Sequence, residues 1–236
     1  MNFETFEPVY EAILADFGFD RVADERARDV AAGYATPFPL ERLDGWRGRT
    51  VAVAGAAPRL SEDLDVAREA DVVVAASTAA DVLLDAGIDV DCMVTDLDKN
   101  PETALELTDR GVPVAAHAHG DNVPAVREWL PRFDPEWTLV TTQAAPTGAV
   151  RNTGGFTDGD RAAFLADHVG AGRLVFAGWE FDDPDVGAMK AKKLYWAARL
   201  LRWLERRRGE RFDVLDDRRE RLSEESGPAA DRWSRR

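Results

Sequence analysis

The chain has 236 residues, 45% of them hydrophobic, with 44 Asp+Glu against 30 Lys+Arg and a net charge of −14. That length can bury a full α/β core without disulfide staples, and the apolar content is too high for wholesale disorder. The acid excess argues against a nucleic-acid binder, no run approaches the roughly 20 apolar residues of a membrane span, and the acidic start MNFETFEPVYEAILADFGFD lacks the basic region of a signal peptide.

Residues 1–45 read as an N-terminal helical segment. Phe6, Val9, Tyr10, Ile13, Leu14 and Phe17 recur at helical spacing, and Gly18 supplies a stop. Asp20 to Ala32 predicts a second helix, which Pro37 and Pro39 end. Residues 46–208 carry the α/β domain. Short apolar runs at 50–55, 71–76, 91–95, 112–117, 138–142 and 173–178 alternate with amphipathic stretches near 61–69, 78–86, 101–110, 122–130 and 159–168. Runs of Val, Ala and Leu alternating with helices predict a mostly parallel, Rossmann-like sheet with helices on both faces. The single cysteine, Cys92, sits in one of these runs and is expected to be buried, and the chain is placed in the cytoplasm.

A long last helix is expected at about 187–207, with Met189, Trp196, Leu200 and Trp203 on one side. Residues 209–236 form a charged C-terminal tail, expected to be solvated or frayed. Charge is uneven: from Lys190 onward 15 basic residues face 9 acidic ones, and the remainder holds 15 and 35. Lysine is scarce, with only Lys99, Lys190, Lys192 and Lys193 against 26 arginines. An acidic, alanine-rich, lysine-poor chain has a salt-adapted composition, in which carboxylates hold hydration and repel neighbours.

Polar clusters begin where predicted strands end: GAAPRL (55–60), TDLDKNP (95–101), HAHGDN (117–122), TGGFTDGDR (153–161) and GWEFDDPD (178–185). In an open parallel sheet these ends share one edge, so the five clusters are expected to converge on one crevice. Asp96 and Asp98, two apart in an extended segment, point the same way and suit Mg²⁺, which takes carboxylates together with phosphate oxygens. The same motif is compatible with Asp98 capping the following helix. In HAHGDN, His119 and Asp121 are able to bind metal, polarise a phosphate or move a proton, or else Asp121 or Asn122 caps a helix. No HExxH, CxxC or third histidine at ligand spacing is present, which argues against zinc. The glycines of the loop Gly154–Arg161 and the helix N-terminus it leads into suit an anion, with Asp158 or Asp160 as a further ligand or base and Arg161 as a phosphate or carboxylate partner, or else the segment is a glycine-rich turn capped by Asp158. Lys190, Lys192 and Lys193 open the last helix against its dipole, either as a clamp whose cost an anion among them would offset or as a solvated basic face. GAAPRL has neither Walker A nor GxGxxG spacing and is read as a tight turn able to touch a nucleotide, while Trp179 and Phe181 are stacking or core aromatics.

The set VTDLD, HAHGDN, GFTDGDRAAFLA and KAKKL, in this order, resembles the archaeal-type 6-hydroxymethyl-7,8-dihydropterin pyrophosphokinase family, itself distantly related to thiamine pyrophosphokinases. The resemblance covers roughly residues 45–205. It implies transfer of diphosphate from ATP to the pterin's hydroxymethyl oxygen, with Mg²⁺, giving AMP and a product that feeds folate or methanopterin synthesis. Read onto the matching positions, it implies metal ligands at Asp96, Asp98 and Asp158 and catalytic groups at His119, Asp121 and Asp160. Nucleotide or phosphate contacts are expected at Gly55, Asn122, Gly155, Arg161, Lys190 and Lys193, and substrate contacts at His117, Phe156 and Trp179, with Gly55 and Trp179 resting on the reading of the residues alone. One departure stands out: Ala76-Ser77-Thr78-Ala79 replaces the acidic-glycine pair expected after the second strand, so a ligand there is missing or replaced by a hydroxyl.

Rival readings are a thiamine pyrophosphokinase, a nucleotide-sugar-dependent transferase, and a nucleotide-sensing subunit. The HAHGDN and GFTDGDR set favours the pterin enzyme, and the chain has little room for a further acceptor domain. The expected partners are ATP and a pterin, with no nucleic acid and no membrane, and a homo-oligomer is compatible with the sequence.

Overall fold

A computed structural model describes residues 1–224. Helix α1 (Phe3–Phe17) opens on Asn2, whose side chain accepts from the Thr5 N–H at 3.0 Å, and closes on Gly18 in the left-handed region. Helix α2 (Arg21–Ala32) opens on Asp20, which accepts from the Val22 N–H at 2.9 Å. Such caps satisfy donors that the first helical turn leaves without partners.

Strands β1 (Thr50–Ala54), β2 (Val72–Ala76), β3 (Cys92–Thr95), β4 (Val114–Ala118), β5 (Thr138–Thr142) and β6 (Arg173–Ala177) form one sheet in the order β5-β4-β3-β2-β1-β6. Every pairing is parallel. The crossovers are α3 (Leu64–Arg68), α4 (Ala79–Asp85), α5 (Pro101–Asp109) and α6 (Val123–Trp129). They cover one face with α2, packing on Val73, Ala75, Met93 and Ala116. Alternate strand residues Val51, Val53, Val74, Cys92 and Val94 turn to the other face, under α1, α7 (Asp158–Val169) and α8 (Ala188–Arg208). The period of two along each strand divides the core between these layers. Each buried Val or Leu there contributes about 1.5–3 kcal/mol. Cys92 is buried as expected, and burial pushes its thiol up to about 12, beyond ordinary reactivity.

After β5 the chain crosses back along α7, which lies over β1, β2 and β3, and enters β6 beside β1. Strand order thus reverses at β1/β6, and the crevice of an open parallel sheet forms at such a reversal, off the carboxyl ends.

Two expectations for the C-terminal third need correction. Met189 is 56% exposed, whereas Trp196, Leu200 and Trp203 are buried, because the first turn of α8 lines an open cleft. The chain beyond Gly209 also does not leave the body: Phe212, Leu215 and Leu222 are buried, the last in α9 (Arg219–Glu224). Buried Glu205 clasps this return, accepting from the Phe212 N–H at 2.9 Å and from Arg219 at 2.7 Å. Residues 225–236, the remainder of the expected tail, lie outside the described residues. Among the described residues no helix is long and apolar enough to cross a membrane.

Candidate active site

The segments after β1, β2, β3, β4 and β6, together with the start of α7, line one cleft of about 780 Å³ at the carboxyl edge of the sheet. Gly55 lets the β1 and β6 ends close up: a Cβ there would lie 2.7 Å from the Gly178 carbonyl oxygen.

At the centre are Asp96, Asp98 and Asp158. The Asp96–Asp98 segment is not extended, as its spacing had suggested. Leu97 adopts a left-handed φ of 67°, held by its N–H donating to Thr95 Oγ1 at 3.0 Å, so the carboxylates meet across a tight turn. Asp98 does not cap α5; Asn100 stands at that position. Asp96 Oδ2 lies 3.6 Å from His119 Nε2, and Asp96 Oδ1 is buried with no protein partner. Burial opposes the charge of Asp96, yet bonding to His119 and Asp98 and the Arg161 charge hold it well below the usual carboxylate range. Burial, then the neighbouring Asp96, push Asp98 up to about 6. Burial, then Asp96, push Asp158 up to about 7, although Arg161 pairs with it at 2.9 Å. Carboxylates raised by one another's charge are groups that a cation would relieve. Among the described residues no group of three His, Cys, Asp or Glu side chains forms a ready cage. Oxygen donors that need phosphate oxygens to complete the shell fit Mg²⁺ better than Zn²⁺.

Lys190 and Lys193 reach the cleft, while Lys192 turns away to Asp16 at 3.0 Å. Burial, then Lys99 and Lys193, depress the Lys190 ammonium, against the opposing charges of Asp158 and Asp98, and an anion between these cations would relieve it. His119, Asp121, Phe156, Arg161 and Trp179 also line the cleft. Trp179 donates from Nε1 to the Val53 carbonyl at 2.9 Å and packs on Phe176 and Phe181, so much of its ring belongs to the core.

Four expected site residues stand behind the wall. His117 is buried in β4, with Nδ1 3.0 Å from Thr141 Oγ1; burial, then the charges of Arg161 and His119, hold it well below the usual imidazole value and keep it neutral. Asn122 braces the centre: its Nδ2 donates at 2.7 Å to the carbonyls of both Asp96 and His117, and its Oδ1 accepts from the His119 N–H at 2.9 Å. Asp160 is wholly buried and folds back on Thr157, accepting from its hydroxyl at 2.6 Å and from its N–H, and from the Phe156 N–H. It therefore shapes the α7 start and does not face the cleft. Gly155 adopts φ 95°, and a Cβ there would lie 2.6 Å from Arg161 Cα, so it acts through the backbone.

Residues 34–186 match the family described as MptE-like, 6-hydroxymethylpterin diphosphokinase MptE-like. A protein named 6-hydroxymethyl-7,8-dihydropterin pyrophosphokinase from Methanothermobacter thermautotrophicus is 39% identical over 216 residues, 84% of this chain and 92% of that relative. Relatives of the same name from Pyrococcus furiosus and Methanocaldococcus jannaschii are 37% and 29% identical, covering 94% and 96% of their own lengths and 86% of this chain in each case. The chain belongs to the MptE-like family.

The MptE-like match takes in the acidic centre and the HAHGDN loop but stops short of Lys190 and begins after α2. Among the cleft residues of this MptE-like protein to which the sequence assigned no site role are Asp24, Gln143 and Lys99. Asp24 had a usable signal, since it shares a helical stripe with buried Ala27 and Ala31, where a carboxylate is out of place. Ser77 is the other non-glycine residue with a left-handed φ (51°) among the described residues, and its buried hydroxyl lacks a partner, as the strand-to-helix turn holds it in the wall. Gln143 and Lys99 carried no periodic or motif signal; the strand ends bring them in.

Proposed function

We propose that this MptE-like protein is a 6-hydroxymethyl-7,8-dihydropterin diphosphokinase, transferring diphosphate from ATP and releasing AMP. The observation that carries the reading is the acidic centre, three carboxylates kept together against burial and facing two cleft lysines. The names of the relatives supply the acceptor. Mg²⁺ held by Asp96, Asp98 and Asp158 would neutralise phosphate charge, the chief requirement of phosphoryl transfer.

The chain's own groups account for the rest. The pterin hydroxyl oxygen forms a bond to the β-phosphorus as the bridging oxygen to the α-phosphorus leaves on AMP. His119 or an adjacent carboxylate takes the hydroxyl proton, with Asp96 and Asn122 fixing the position of His119. Lys190, Lys193 and Lys99 offset charge on the phosphates, and Arg161 orients Asp158. The protein acts in the cytoplasm.

The test is AMP release from ATP and Mg²⁺ in high KCl, with 6-hydroxymethyl-7,8-dihydropterin and separately with thiamine. AMP formed with the pterin alone is expected. AMP formed with thiamine alone replaces the acceptor, and none with either overturns the reaction.

A further inference from the structure

The cleft is chemically divided. After β1 and β6 it presents glycine backbone, and Lys99 after β3 together with Lys190 and Lys193 on α8 supplies the cations of a polyphosphate site. Helix α2 packs over β4 and β5, and Phe19 and Phe156 give the cleft an aromatic lining braced by Phe17, whose ring lies 5.1 Å from each and carries Lys192 Nζ at 4.7 Å. Between those aromatics and the HAHGDN loop stands Asp24, 4% exposed.

Asp24 Oδ1 accepts from the Gly120 N–H at 2.7 Å. Asp24 Oδ2 accepts from the Tyr10 hydroxyl at 2.9 Å and from Gln143 Nε2 at 2.8 Å. Every one of these donors is neutral, and no ion pair to Asp24 forms among the described residues. A carboxylate offers about four acceptor positions, so one remains, on Oδ1. A buried charge without a cation is costly, and a tether alone would be met as well by a neutral acceptor. Gly120 shows how closely α2 is set on the loop, since a Cβ there would lie 2.8 Å from the Ala23 Cβ.

We infer that the end of the cleft closed by α2 is the subsite for the acceptor ring, and that Asp24 selects it by accepting, at the one open position on Oδ1, from an N–H on the edge of a flat heterocycle. The assignment rests on the reaction proposed above, because the 2-amino-4-oxopyrimidine ring of a pterin carries such an edge in its exocyclic amine and N3–H. Phe19 and Phe156 would flank the ring faces. The hydroxymethyl group, at the opposite end of the bicycle, is then directed to the acidic centre and His119, between the two halves of the cleft. Asp24 is a specificity residue here and takes no part in bond making.

Two measurements test this. In wild-type protein, hydrogen exchange is followed with 6-hydroxymethyl-7,8-dihydropterin alone and with a non-hydrolysable ATP analogue plus Mg²⁺ alone. The pterin is expected to slow exchange across Arg21–Ala32, and the analogue to slow the first turns of α8 and leave α2 unchanged. Kinetically, Asp24→Asn is expected to raise the pterin KM by about tenfold or more with the ATP KM within about twofold. Tyr10→Phe, which removes a donor to the same carboxylate from the core side, lowers Tm but leaves the pterin KM within about twofold. The assignment is overturned if α2 stays unprotected by a pterin that the wild type turns over, if the analogue protects α2, or if both variants shift the two KM values alike, the signature of a tether. Should Asp24→Asn fail to fold, the exchange data on the wild type decide. No AMP from the wild type with the pterin would instead overturn the reaction, and this subsite with it.

Discussion

Asp96 is held charged in a place that resists charge, and its neighbours bear the cost as raised Asp98 and Asp158 carboxyls. Asp96→Ala therefore removes a repulsion as well as an oxygen proposed above to bind metal. AMP formation is expected to fall at least about a hundredfold while the protein stays folded. An active variant would remove Asp96 from the metal site, and a variant that unfolds would show the cluster to be structural. Gly155 makes the opposite case, a residue without a side chain that the structure depends on. Gly155→Ala combines φ 95° with an approach of 2.6 Å to Arg161 Cα. The expected loss is about 3 kcal/mol, or roughly 6–12 °C in Tm by calorimetry. A Tm within about 2 °C of wild type would mean that the loop relaxes freely.

The C-terminal return depends on one buried carboxylate joining α8 to α9. Glu205 is 2% exposed and accepts from Arg219, from the Phe212 N–H and from Arg202. Burial works against its charge, but these donors win and lower its pKa. A carboxyl lowered on folding stabilises the native state above the unfolded pKa, and that contribution disappears as pH falls through the folded one. Glu205→Gln is expected to cost about 3 kcal/mol near neutral pH. The Tm gap between wild type and variant should shrink once pH drops below the ordinary glutamate value, about 4.3. A gap constant from pH 7 to 3 would mean that shape rather than charge joins the helices.

Across the whole molecule the net charge of −14 sets a repulsion that salt screens. Tm is expected to rise steadily from low salt to molar KCl, and a Tm indifferent to KCl would count against salt adaptation. Asp96→Ala should follow the same salt curve as the wild type, since its effect is local.

Local periodicity alone carried the architecture. The apolar runs anticipated all six parallel strands, because a strand buried on both faces must be apolar throughout. Alternation of those runs with helices located the loaded edge, where the DLD and HAHGDN segments stand at strand ends and TDGD joins them from the start of α7. Which of their side chains face the cleft was not legible. Asp160 reads like Asp158 but turns back to cap its own helix, and Asn122 reads like a ligand but braces two carbonyls. Such choices follow from a few backbone angles, among them the left-handed turn at Leu97. The charged tail read as solvated because three apolar residues, Phe212, Leu215 and Leu222, are too few to show a period, yet each finds a site on the core. Asp24 lies 72 residues before Asp96, and only packing of α2 against the Gly120 loop brings it to the same cleft. The sequence by itself determined the elements and the chemistry of the edge, since both are written in local pattern; tertiary structure decided which groups meet, since that depends on contacts between distant segments.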